Sequence, residues 1–159
     1  MEFEQLIRTR HSVRSYTDEP VSQEVLGEII ELARTAPSSR NSRSSEFMVV
    51  TDPEKLAAIA VARDHGARFA AGAKAAIVVM GDTEKSAEKW VENCCISATF
   101  IQLAAVDKGL GSCWIQVRLS PRYADAPDGE TAEDYLRTLL SIPSRYRIEC
   151  VITLGHPAD

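Results

Sequence analysis

Three short segments of this sequence combine residue types suited to an anion or to the edge of a flat heterocycle. In Arg10-His11-Ser12-Val13-Arg14, two arginines flank a serine. Forked guanidinium donors and a hydroxyl on irregular backbone match a phosphate with several acceptor oxygens, although a solvated basic helix end uses the same residues to offset the macrodipole. In Ala36-Pro37-Ser38-Ser39-Arg40-Asn41, short polar side chains and free amides suit the rim of a heterocycle, and also an ordinary loop. In Gly109-Leu110-Gly111-Ser112-Cys113-Trp114-Ile115, a glycine after a helix serves as a C-cap, or, at Gly111, marks close approach of the backbone to a ligand. No GxGxxG or Walker loop accompanies them. His11, His65 and His156 lack a triad-like context and read as surface or packing residues.

These segments need elements to hold them. Phe3, Leu6 and Ile7 predict a first helix with Arg8 and Arg10 near its end, followed by irregular chain to Tyr16. Val25, Leu26, Ile29, Ile30 and Ala33 recur at helical spacing behind Ser22 as N-cap, so a helix is expected over 22–36, stopped by Pro37. A loop over 37–45, a strand at Phe47–Val50 and a helix at Pro53–Ala62 come next. The run 74–81 is apolar on both faces, as a strand covered on both sides requires. A long helix is expected over 90–108, apolar almost all round from Cys94 and therefore buried inside the fold or against a partner. A strand at 112–117, a helix at 131–141 and a strand at 150–154 complete an α+β domain spanning 1–159, a small mixed or antiparallel sheet flanked by helices.

Composition narrows the function classes. A 45% hydrophobic and 26% charged chain of 159 residues is neither disordered nor collagen-like. A net charge of -5 argues against nucleic acid, yet Arg8, Arg10 and Arg14 share an acid-free stretch, as do Arg34, Arg40 and Arg43. The uncharged run Cys94 to Val106 falls short of the roughly 20 residues that cross a bilayer. The start of the chain lacks the apolar run of a secretory signal, so a cytoplasmic location is expected. Cys94, Cys95, Cys113 and Cys150 form no CxxC pair and have no histidine at zinc-ligand spacing, so no metal site is expected.

Taken together in this order, the three segments resemble the RxSxR, APSxxN and GLGxCWI motifs of the nitroreductase family, and the likeness extends to the Gly155-His156-Pro157 ending. The resemblance implies an FMN-dependent oxidoreductase that takes hydride from NADH or NADPH and reduces a nitroaromatic, quinone or similar small acceptor. It also implies a homodimer with the flavin at the interface, beside the long helix. Arg10 and Ser12, with the His11 backbone, match positions that hold the FMN phosphate. Arg14 matches a cation near N1 and O2 of the ring, and is the expected catalytic residue. Pro37, Ser38, Ser39 and Asn41 match a loop that reaches the flavin from the other subunit, and Trp114, Ile115 and Gln116 match the strand facing the ring, with an amide near Gln116 reaching N5. Relatives often continue the second motif with Gln, Pro and Trp, where Arg43, Ser44 and Ser45 stand here. Many also carry a basic pair after the final strand, whereas this sequence stops at Asp159, so a weaker phosphate grip or a substitute such as Arg8 is expected. Other flavin chemistry on the same scaffold, such as dehalogenation, and a flavin-binding module without turnover are the rival readings.

Overall fold

Capping and periodicity explain where most helices begin. Helix α1 covers Phe3–Thr9. Ser22 accepts the Val25 N–H at 3.1 Å and starts α2, Gln23–Ala33. That helix ends earlier than Pro37 implies, because the Thr35 and Ala36 N–H groups turn to the tighter i−3 carbonyls of Leu32 and Ala33. Asp52 caps α3, Pro53–Ile59, through the Glu54 N–H, with Pro53 in the first turn. Helix α4 spans Trp90–Asp107, and Thr131 caps α5, Ala132–Leu140. The structure, a computed structural model, describes residues 1–158.

The strands are β1 (Ser45–Val50), β2 (Ala75–Asp82), β3 (Gly111–Gln116) and β4 (Tyr146–Gly155). They form one sheet in the order β1-β2-β4-β3 with every pair antiparallel. Strand β2 is buried along its whole length because both faces are covered. Ala76, Val78, Met80, Ile148 and Val151 face a core completed by α3 and α5. Ala75, Ile77, Val79, Cys150, Ile152 and Leu154 face the core beneath α2 and α4. Each fully buried Leu or Ile in these layers contributes about 1.5–3 kcal/mol of apolar burial.

Strand β4 begins four residues before the expected Cys150. Charged Arg147 and Glu149 read as loop in sequence, but both are neutralised here: Arg147 by Glu133 at 2.8 Å, Glu149 by Arg118 at 2.7 Å. The register slips between Val79/Met80, whose partners are Cys150 and Ile148, leaving Glu149 as a bulge. The bulge lets Ile148 and Val151 share one face despite their odd spacing.

Helix α4 is not enclosed on every side by its own chain. Trp90, Asn93, Cys94, Ser97, Ala98, Ile101 and Ala105 face inward, whereas Ile96 and Thr99 are exposed and Phe100, Leu103 and Val106 are half-buried. These outward residues follow helical spacing and form one stripe. Helix α1 lies against α4 and buries none of its residues; Phe3 is 72% exposed and Ile7 45%. Among the described residues, no helix is long and apolar enough to cross a membrane.

Candidate functional site

The first and third motifs meet. Ser12 forms an isolated parallel bridge with Ser112, and the Val13 N–H donates to the Ser112 carbonyl at 2.9 Å. Tyr16 clamps the same segment, its hydroxyl donating to the Val13 carbonyl and meeting Thr153 Oγ1, both at 2.7 Å. Burial pushes that phenol up to about 12, so it stays protonated as a donor. Helix α4 stops with Gly109 in the left-handed region (φ +76°), which lets the Leu110 N–H reach the Ala105 carbonyl at 2.8 Å. Gly111 serves a different close approach from the ligand contact weighed in the sequence. A Cβ there would lie 2.7 Å from Val13 Cβ, so the missing side chain admits the first motif to the strand.

Antiparallel alternation decides what β3 offers at its free edge. The Val117 N–H donates to the Glu149 carbonyl, so Cys113, Ile115 and Val117 direct their backbone groups at β4. Ser112, Trp114 and Gln116 direct theirs outward, and Arg63 Nη1 donates to the Gln116 carbonyl at 3.2 Å. Ile115 therefore presents neither backbone nor side chain at the edge; its side chain is buried in the core that α3 and α5 complete. The Trp114 indole N–H donates to Gln116 Oε1 at 2.9 Å, and Gln116 Nε2 donates to the Arg118 carbonyl at 2.9 Å and to Glu149 Oε1 at 3.3 Å. The Ser112 hydroxyl is the one buried side-chain polar atom without a partner among the described residues.

Arg10, Ser12 and Arg14 stand at this edge. Arg14 and Ser12 are exposed, and the Arg14 guanidinium lies 5.9 Å from the Phe69 ring centroid. His11 is exposed with Nδ1 3.0 Å from the Thr9 carbonyl oxygen. Arg8, the substitute considered for the phosphate grip, is held by Glu4 at 2.9 Å.

The second motif lies elsewhere. Pro37, Ser38, Ser39 and Asn41 adjoin β1, the opposite edge of the sheet, so three strand spacings, about 14 Å, separate them from β3. Arg40, Asn41 and Arg43 all have positive φ (53°, 53° and 49°), a conformation that costs about 1 kcal/mol or more at each non-glycine residue. Asn93 of α4 braces this loop: its Oδ1 accepts the Ser39 N–H at 3.0 Å, and its Nδ2 donates to Ser44 Oγ at 2.9 Å. Ser38 Oγ accepts the Arg43 N–H at 3.0 Å. Sequence reading passed over Asn93, although a polar residue in an apolar helix must find partners when buried. It also passed over Tyr16 and Arg63, whose types carry no motif.

Three of the thiols, Cys94, Cys95 and Cys150, are held protonated. Burial pushes Cys94 up to about 12 and Cys150 well above the ordinary thiol range. Cys95 is raised by burial and by the neighbouring Glu149 carboxylate.

An antiparallel sheet covered on both faces, with an arginine-bearing segment bridged to one edge and a braced polar loop at the other, is the nitroreductase-type α+β scaffold. The chain belongs to the nitroreductase family, whose model matches residues 7–63 and 59–156. It is 36% identical over 157 residues, covering 97% of this chain and 84% of the relative, to a protein of Archaeoglobus fulgidus provisionally named NADH dehydrogenase/NAD(P)H nitroreductase. An FMN-dependent nitroreductase from Clostridium difficile R20291 superposes with TM-score 0.90 at 40% identity, covering 97% of this chain and 87% of that one. A provisionally named nitroreductase in complex with FMN, from Desulfovibrio desulfuricans, superposes with TM-score 0.78 at 31% identity, covering 98% and 86%.

Proposed function

We propose that this protein is an FMN-dependent oxidoreductase that draws electrons from NADH or NADPH and passes them to a small acceptor such as a nitroaromatic or quinone. The observation that carries the reading is the bridge between the Arg10–Arg14 segment and β3, which sets guanidinium donors beside a strand edge with outward amides. That donor set fits FMN: Arg10 and Ser12 suit its phosphate, and the outward groups of Trp114 and Gln116 suit the polar rim of its ring. FMN, when bound, supplies the two-electron chemistry. Arg14 then places positive charge where the ring gains negative charge on reduction. The chain is read as one domain, since its two cores share a single sheet.

The second-motif loop belongs to the same site only across a dimer. A second copy seated on the Ile96–Val106 stripe and α1 would bury the apolar residues left open there and bring its β1-edge loop to the β3 edge of the first. Purified protein is expected to be yellow, to release FMN on heat denaturation and to bleach rapidly when mixed with NADH or NADPH in a stopped-flow instrument. A colourless protein that FMN does not reconstitute overturns the assignment, and an FMN-loaded protein inert to both nucleotides identifies a binding module instead.

A further inference from the structure

Beside the β3 edge lies a cleft of about 540 Å³ that none of the three motifs touches. One wall is the loop carrying Arg63 and Arg68; the other is Arg122 and Tyr123. We propose that this cleft docks an oxyanion, phosphate or carboxylate, borne by the molecule that exchanges electrons at the β3 edge. The assignment of that exchange rests on the function proposed above.

Arg63 ties the cleft to the edge, because the residue that lines it also donates to the Gln116 carbonyl at 3.2 Å. The residue after Arg68 is Phe69, whose ring lies 5.9 Å from the Arg14 guanidinium. Two of its residues thus lead to the proposed site, Arg63 by its bond to β3 and Arg68 as the chain neighbour of the ring beside Arg14. Its far wall is fixed in advance. Arg122 donates to the Val61 carbonyl at 3.2 Å and to Glu130 at 2.9 Å, and stacks 3.8 Å from the Tyr135 ring centroid, leaving its side chain 18% exposed. Asp64 stitches the walls together: its N–H donates to the Arg122 carbonyl, and its carboxylate accepts the Ala124 N–H at 2.8 Å.

The charge balance leaves room for an anion. Among the described residues, Asp64 is the only carboxylate lining the cleft and is engaged by a backbone amide; Glu130 is engaged by Arg122. Arg68 is exposed and has no carboxylate or hydrogen-bond partner among the described residues, and Arg63 spends one donor on a carbonyl. Two guanidinium groups with unspent donors, lining one cleft in a chain of net charge -5, match the forked acceptors of phosphate or carboxylate.

Arg68 is the residue to change, because it is exposed and its loss leaves the Arg63 and Arg122 contacts standing. In the FMN-loaded protein, Arg68→Gln should raise KM for the oxyanion-bearing substrate by about 5- to 50-fold, the scale of one charge-assisted hydrogen bond, with the change in KM rather than kcat. Arg68→Lys should recover part of it. An effect confined to NADPH identifies the 2′-phosphate, an equal effect on NADH and NADPH the diphosphate, and an effect confined to a carboxylated nitroarene over its uncharged parent the acceptor's carboxylate. Inorganic pyrophosphate should bind wild-type protein in calorimetry, with or without FMN, and bind the Gln variant more weakly. Unchanged KM for all these substrates overturns the proposal, as does a variant that loses FMN affinity while KM holds, since the guanidinium would then serve the cofactor. A protein that takes up no FMN but binds pyrophosphate through Arg68 would sink the proposed function and leave the oxyanion site.

Discussion

The two edges of the sheet are built on opposite principles. At the β3 edge the first motif is relaxed, with no positive φ from Arg10 to Tyr16, and it offers donors: Arg10 and Arg14, the Ser12 hydroxyl and outward backbone groups of Trp114 and Gln116. At the β1 edge the loop is strained at Arg40, Asn41 and Arg43, and its polar groups are mostly spent within the fold, on Asn93 and Ser38. One edge supplies attraction and the other a fixed shape. Strain of that kind persists only where surrounding contacts over-determine it, and it gathers at binding surfaces. On the function proposed above, the difference means that each edge supplies only half of a site.

The strongest way to break this comparison is to keep two copies apart. Ile96→Glu places a charge in the apolar stripe, where an uncompensated buried charge costs about 3–5 kcal/mol. Dimerisation should weaken about 100- to 4000-fold on that scale, and FMN should be lost with it. Light scattering and flavin fluorescence check this; a monomer that binds FMN at wild-type strength would show the β3 edge to be sufficient. Next in size are the two arginines of the β3 edge. Arg14→Gln should slow flavin reduction by about 10- to 1000-fold at saturating FMN while affinity changes less, because its charge partner forms on reduction. Arg10→Ala should behave in reverse, lowering affinity and sparing the rate, since a phosphate is charged in both redox states. Fluorescence titration and stopped-flow on both variants separate the roles, and equal behaviour of the two would refute them.

The β1 edge is tested through its brace. Asn93→Ala leaves the Ser39 N–H without its acceptor and should cost about 1–3 kcal/mol in denaturant unfolding, with FMN affinity falling about 10-fold as the loop relaxes. A variant that loses stability with no change in affinity would assign the strained loop to folding alone. The smallest effect on flavin belongs to Glu133→Gln, remote from both edges. Glu133 accepts from Arg147 at 2.8 Å, Arg137 at 3.1 Å and the Ile148 N–H at 2.9 Å. Burial opposes its charge, but these donors prevail and hold the carboxyl below its ordinary 4.5. A depressed value means stability that is present above pH 4.5 and lost as pH falls through the lower folded value. Wild type should therefore lose this contribution on acidification, the Gln variant should lack that part of the slope, and FMN affinity near neutrality should be the same in both.

Much of the fold was legible in sequence because local signals agreed with the tertiary outcome. Ser22 and the spacing from Val25 to Ala33 announced α2, and the two-sided apolar run announced β2. Strand β4 was half hidden because Arg147 and Glu149 look like loop residues until Glu133 and Arg118 are seen beside them. The composition of each motif was legible too. Their distribution between edges was not, because chain order says nothing of strand order: β4, last in sequence, sits between β2 and β3. Asn93 and Arg63 went unread for a related reason, since each matters through a partner more than 50 residues away.

The division of the motifs between opposite edges has a genetic consequence. In the proposed dimer each site takes its donors from one chain and its shaped loop from the other. A mixed dimer of an Arg14 variant with an Asn93 variant would therefore hold one site carrying both lesions and one carrying neither. Two alleles, each crippled alone, would complement when co-expressed and restore up to half of the sites in the mixed dimers, whereas two alleles damaged at the same edge would restore none.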